Sequence, residues 1–241
     1  MNLKVILRTC DKVDSVHGQK RFINLSKKDL IFKCASSLKK SLDQLTNKIK
    51  FDLTVIDDHS SEETVKFLKG ISNNLISLTD NSGNNKSMMR CYEEVLLSPD
   101  CFVYLVEDDY LHLESAIEEM YLSMVYFSKS LGGHQVAVVP NNDPLSYMPS
   151  RIEDCRIVLA PNGRHWRTVN TTTFTMMCHK YTILKNWDIF NTFASMYDGA
   201  RVTEDNTINN LYRGGSVYCF APIPSLGTHI NHVPPHDINI N

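Results

Sequence analysis

Along the first hundred residues, short apolar runs alternate with longer stretches in which apolar residues recur every three or four positions. Leu3 to Leu7 predicts a short buried strand. After a polar loop, Leu30, Ile31, Cys34, Leu38, Leu42, Leu45 and Ile49 recur at helical spacing, and Ser26 with Asp29 three residues later is a capping pair that opens this helix. Phe51 to Ile56 predicts a second strand. Ser60 with Glu63 opens a second capped helix through Val65, Phe67, Leu68 and Ile71. Leu75 to Leu78 predicts a third strand. A polar, glycine-containing loop from Asn81 to Lys86 leads into a helix near Met88 to Leu97, and Cys101 to Val106 is a fourth strand with almost no polar residue. Continuously apolar strands alternating with helices predict a parallel sheet covered on both faces. The fold class is therefore α/β, with a Rossmann-like nucleotide-binding architecture.

The pattern continues with an amphipathic helix from Glu114 to Leu131 and a strand from Gln135 to Val139, and then weakens. Asn141 to Arg167 is rich in Pro, Asn, Gly and Arg and predicts a long functional loop. Val169 to Met177 alternates Thr with apolar residues, as a strand does. Tyr181 to Phe193 predicts a helix, Glu204 to Tyr212 a short helix ended by Gly214 and Gly215, and Val217 to Phe220 a last strand before a Pro- and His-containing tail. The compositional shift near Asn141 divides one domain, 1–241, into a nucleotide-binding half, 1–140, and an acceptor-binding half, 141–241.

Composition narrows the function classes. The chain has 241 residues, 42% hydrophobic and 22% charged, with 25 Lys plus Arg against 27 Asp plus Glu. A formal charge of −2 supplies no basic footprint for nucleic acid. Seven cysteines are scattered without a CxxC pair, which predicts buried free thiols in a reducing compartment. The apolar N-terminal run is too short for a secretory signal, and no segment approaches the roughly 20 apolar residues of a membrane span. The expectation is a cytoplasmic protein without a transmembrane segment.

Four clusters carry candidate chemistry. Asp57 and Asp58 end an apolar strand, where ligands of parallel sheets bind; they suit a ribose or base contact, or alternatively acids at the start of the next helix. Glu107, Asp108 and Asp109 follow the fourth strand. Three acids there repel one another and lose hydration, which a divalent cation offsets. Carboxylate oxygens suit Mg²⁺ or Mn²⁺, and such an ion would bridge a diphosphate. Glu204 and Asp205 open a short helix; either is a candidate general base, or a helix N-terminal acid. His229, with His232 and His236, lies in the tail and is a candidate to complete a Mn²⁺ site. Among loop cations, Lys86 and Arg164 are candidates for phosphate, with His165 and Arg167 nearby. Trp166 is a candidate for stacking on a sugar face.

Taken in order, these segments resemble the inverting glycosyltransferases of family 2, which have the GT-A fold. The resemblance runs from Val5 to about His229. It rests on Arg8-Thr9 after the first strand, Val55-Ile56-Asp57-Asp58, the loop Asn81-Ser82-Gly83-Asn84-Asn85-Lys86, Val106-Glu107-Asp108-Asp109, and Thr203-Glu204-Asp205 running on to Gly214-Gly215. The resemblance implies that Arg8, Thr9, Asn81, Gly83 and Lys86 contact the nucleotide-sugar. Asp57 contacts the base with support from Asp58. Glu107 and Asp108 face the ribose and the metal's water shell. Asp109 ligates the metal with His229 nearby, and Asp205 is the catalytic base with Glu204 in reserve. It implies a Mn²⁺- or Mg²⁺-dependent displacement, with inversion, of a nucleoside-diphosphate leaving group, UDP by preference, by a hydroxyl of a glycan or glycoconjugate. The metal motif begins with Glu where Asp is commoner.

Two other readings compete. A sugar-nucleotide pyrophosphorylase carries a Gly-rich basic loop after its first strand, whereas here Arg8 to Val13 holds no glycine. A non-catalytic nucleotide-sugar or glycan-binding protein would keep the fold and lose turnover.

Overall fold

The computed structural model describes residues 2–13, 21–46, 49–79, 83–133, 135–148, 155–231 and 233–238. Asn81 and His232 lie outside the described residues. Strands β1 (Asn2–Thr9), β2 (Lys50–Asp57), β3 (Asn74–Ser77) and β4 (Phe102–Glu107) pair in parallel in the order β3-β2-β1-β4. The chain winds outward from β1 through β2 and β3 and then crosses to β4 on the other side of β1. That reversal opens a crevice beyond the carboxyl ends of β1 and β4.

The connecting helices are α1 (Lys27–Asp43), α2 (Glu62–Ile71) and α3 (Gly83–Leu97). Ser26 caps α1 by accepting the Asp29 amide at 3.1 Å. The cap of α2 is Ser61 rather than Ser60: its hydroxyl accepts from the Thr64 amide, and Asp11 accepts the Ser61 amide at 3.0 Å, tying the loop after β1 to α2. Helix α1 stops at Asp43, so Ile49 belongs to the approach to β2. Helix α3 begins at Gly83, so Gly83 to Lys86 form its first turn instead of a loop.

Beyond β4 the sheet continues through β9 (Met176–His179), β6 (Gln135–Val138), β10 (Val217–Ile223), β8 (His165–Val169) and β7 (Ile157–Leu159). Only β8 and β9 run against the other strands. Strands from both sides of residue 140 thus interleave in one sheet of nine among the described residues. The predicted strand over Val169 to Met177 is the end of β8 and the start of β9, with a loop between. The predicted loop from Asn141 to Arg167 contains a 3-10 turn (Pro144–Tyr147) and the β7–β8 hairpin.

Side chains alternate between two apolar layers. Leu3, Val5 and Leu7 pack with α1 and α4 (Ala116–Ser130). Ile6, Ile56 and Leu105 pack with α3 and α6 (Trp187–Met196), which follows the short α5 (Lys180–Lys185). A separate antiparallel pair, β5 (Tyr110–His112) with β11 (Gly227–His229), folds the tail back onto the end of β4. The pairing depends on Gly227: a Cβ there would sit 3.0 Å from the Leu111 carbonyl oxygen. Among the described residues no helix is long and apolar enough to cross a membrane.

Candidate active site

The crevice is built from the ends of β1 and β4. Arg8, the penultimate residue of β1, donates to Glu107 at 2.6 Å and to the Asn84 side chain at the start of α3. Its guanidinium lies 4.9 Å from the centre of the Phe174 ring. Glu107 therefore faces the crevice with its charge balanced. Asp108 turns the other way. One of its oxygens accepts from the Thr9 hydroxyl and the Cys10 amide, both at 3.0 Å, and the other accepts from Lys27 at 2.5 Å. Asp108 and Thr9 are buried and do not line the crevice, so the ribose and metal-shell role expected of Asp108 and the nucleotide contact expected of the Thr9 side chain are corrected. Both lock the loop after β1 to the end of β4.

Asp109 stands in the turn between β4 and β5. Register on β11 places His229 opposite Tyr110, and the two rings stack 4.8 Å apart within 2° of parallel. His229 Nε2 lies 3.3 Å from Asp109 Oδ2. Burial opposes charge on both groups, but their mutual attraction outweighs it. Asp109 is held well below the usual carboxylate range and His229 above the usual imidazole range. Asp109 Oδ1 is buried without a partner. Once His229 gives up its proton, a carboxylate and an imidazole side by side, one oxygen unmet, would suit a divalent cation such as Mn²⁺. No group of three or more His, Cys, Asp or Glu that could hold a metal occurs among the described residues.

Two adjoining cavities meet at Glu204, Tyr197, Thr173 and His229. The first, about 240 Å³, also presents Arg8, Arg21, Lys27, Glu107 and Asp109. The second, about 260 Å³, presents Asp143, Asp205 and hydroxyls. Glu204 sits where they join. Burial, then the charge of Glu107, raises its pKa, against a hydrogen bond from Tyr197. Asp205 is exposed and ion-paired to Arg213 at 2.7 Å.

No known sequence family and no curated protein matches the chain. Solved structures do. TarS of S. aureus superposes with a TM-score of 0.53 at 15% identity, covering 91% of this chain and 35% of TarS. Its 1-349 fragment in complex with UDP-GlcNAc gives 0.53 at 16%, over 91% and 56%. The mannosyltransferase PcManGT from Pyrobaculum calidifontis, in complex with GDP-Man and Mn2+, gives 0.53 at 13%, over 90% and 56%. The chain has a GT-A-type α/β fold. It spans between 35% and 56% of the length of these three chains.

Within this fold the predicted residues separate into groups. Arg8, Glu107, Asp109, Glu204 and His229 converge on the first cavity, and Asp205 borders the second. Asp57 and Asp58 are buried at the end of β2 and line neither cavity. Asp57 Oδ1 has no partner, and burial raises that carboxyl's pKa. Gly83 and Lys86 are exposed on the first turn of α3, also outside both cavities. Trp166 cannot stack on a sugar: it is fully buried on β8, edge-on to Phe127. Arg164 is held by Glu119 of α4 and the Pro224 carbonyl, and borders a different surface depression. Both corrections have one cause, the β7–β8 hairpin, which turns that segment from a loop into part of the sheet. Sequence reasoning missed Tyr110, Tyr197, Phe174 and Lys27. Of these only Tyr110, next to Asp109, had a local signal, and it required seeing β5.

Proposed function

We propose that the chain transfers a sugar from a nucleoside-diphosphate donor, UDP-linked by preference, to a hydroxyl of a glycan or glycoconjugate, with inversion and with Mn²⁺ or Mg²⁺. The observation that carries this reading is the Asp109–His229 pair, with its unmet carboxylate oxygen, beside the cations Arg8, Arg21 and Lys27 at the switch point of a GT-A-type sheet. The nucleotide-sugars held by TarS 1-349 and PcManGT support the donor class. Asp109 and His229 would hold the cation. When bound, it would supply positive charge to the leaving diphosphate.

The chain's own residues do the rest. Arg8, Arg21 and Lys27 attract the diphosphate electrostatically, Arg8 and Lys27 being held in place by Glu107 and Asp108. Glu204, at the junction, takes the proton from the acceptor hydroxyl. The acceptor oxygen forms its bond to the anomeric carbon as the bond from that carbon to the phosphate oxygen breaks. The electron pair leaves on the nucleoside diphosphate. Glu204 thereby takes precedence over Asp205, whose carboxylate is already paired. Seven free thiols support action in a reducing compartment, the cytosol.

The test is a thermal-shift series with UDP, GDP, UDP-GlcNAc and GDP-Man, with and without Mn²⁺. Binding to the folded state raises its stability by mass action. A metal-dependent shift with one nucleotide, lost in Asp109→Ala, is the expected result. No shift with any of them at millimolar concentration would overturn the reading. A shift without turnover of any donor, even to water, would favour a non-catalytic binding protein.

A further inference from the structure

The two cavities differ in charge. The first carries Arg8, Arg21 and Lys27 on its wall against the acids Glu107, Asp109 and Glu204. Among the described residues, the second has no Lys or Arg in its lining, and carries Asp143, Glu204 and Asp205 with hydroxyls from Tyr110 and Thr171 to Thr173. Asp205 is balanced by Arg213, which sits outside the cavity. Asp143 is different. One of its oxygens accepts the Leu145 amide at 2.8 Å, opening the 3-10 turn, and no cation among the described residues lies within ion-pair distance of it. It is half-buried, and its charge is felt at Tyr110 and His229. A carboxylate in that setting repels a second negative group and attracts a positive one.

We infer that the second cavity is the acceptor site and that Asp143 makes it select a hydroxyl-rich acceptor without negative charge, an amino sugar above a neutral one. The inference rests on the transferase reading for the direction of transfer. A phosphorylated or uronic acid residue would bring its anion against Asp143 and Glu204, and the one cationic side chain in the described lining, His229, is already paired with Asp109. An amino sugar would place its ammonium on Asp143, while Tyr110 and the threonines receive its hydroxyls. A neutral sugar keeps the hydroxyl contacts alone.

The test is a titration of the protein, with Mn²⁺ and UDP present, by methyl glucosaminide, methyl glucoside and methyl glucuronide. It is followed by NMR at about pH 6, where the amine is protonated and the uronate ionised. The glucosaminide should bind roughly tenfold more tightly than the glucuronide, with the glucoside between them. Asp143→Asn keeps an oxygen for the Leu145 amide and should collapse the difference to less than about twofold. Equal affinity for the three sugars, a preference for the glucuronide, an order unchanged in Asp143→Asn, or binding by none of the three would each overturn the inference. Nucleotide binding in the same samples separates the two ideas. Its loss sinks the transferase reading, whereas its persistence with no charge order sinks only the acceptor assignment.

Discussion

Glu204 and Asp205 are adjacent in sequence and opposite in surroundings. Glu204 faces the junction of two cavities in a setting that raises its proton affinity, and Asp205 is exposed on Arg213. A general base is most effective when its pKa approaches the working pH and its oxygen reaches the proton. Glu204→Gln should therefore lower transfer by about 10²- to 10⁴-fold while leaving nucleotide binding in place. Asp205→Asn should cost less than about tenfold, with an effect on acceptor affinity rather than turnover. Single-turnover transfer rates for the two variants decide the order, and equal collapse in Asp205→Asn with activity retained in Glu204→Gln would reverse the assignment. The pair of acids was legible in the sequence. Which of them sits at the junction of the two cavities was not, because neighbours on a turn point in different directions and only the packing around them says where.

At the scale of elements, the β5–β11 ribbon sets the geometry of the Asp109–His229 pair and also contains a pH-sensitive support. His112 of β5 is buried, and its Nε2 lies 2.7 Å from the Tyr104 hydroxyl on β4. Burial lowers its pKa from 6.5 to about 4. The folded state thus keeps His112 neutral where the unfolded chain takes up a proton. Stability from this group is complete above the unfolded pKa and is lost as pH falls from that value towards the folded one. Between about pH 7 and about pH 5 the loss should be roughly 2 kcal/mol. Urea unfolding at the two pH values measures it, and the pH-dependent part should shrink in His112→Gln, which keeps an acceptor for Tyr104. A His112 that titrates near the ordinary imidazole value in the folded protein would contradict this account. The ribbon itself was not legible, because its strands are three residues each and periodicity needs longer runs to register.

For the whole molecule, one sheet with helices on both faces gathers residues from distant parts of the chain around one crevice. Arg8, Glu107 and His229 meet although most of the sequence separates the first from the last. The same packing removes Trp166 from the site. As a core residue, its replacement by Ala should cost about 3 to 5 kcal/mol of unfolding free energy. At temperatures where the variant remains folded, nucleotide affinity should be unchanged. Urea unfolding and calorimetric titration check the two halves of this prediction, and weakened sugar binding with unaltered stability would return Trp166 to the binding surface.

The sequence by itself determined the parallel β1 to β4 order with its intervening helices, the acids at the strand ends and the free thiols. These depend on local periodicity and on caps a few residues long, which a linear pattern records. Only the tertiary structure decided that β9 enters between β4 and β6 and that the β7–β8 hairpin buries Trp166. The same is true of Asp108, which turns inward to Thr9, Cys10 and Lys27 while Asp109 turns towards His229. Those outcomes depend on contacts between residues far apart in the chain. Whether a carboxylate is taken up by a neighbouring cation or left to meet a ligand is settled by that three-dimensional neighbourhood, which no local pattern contains.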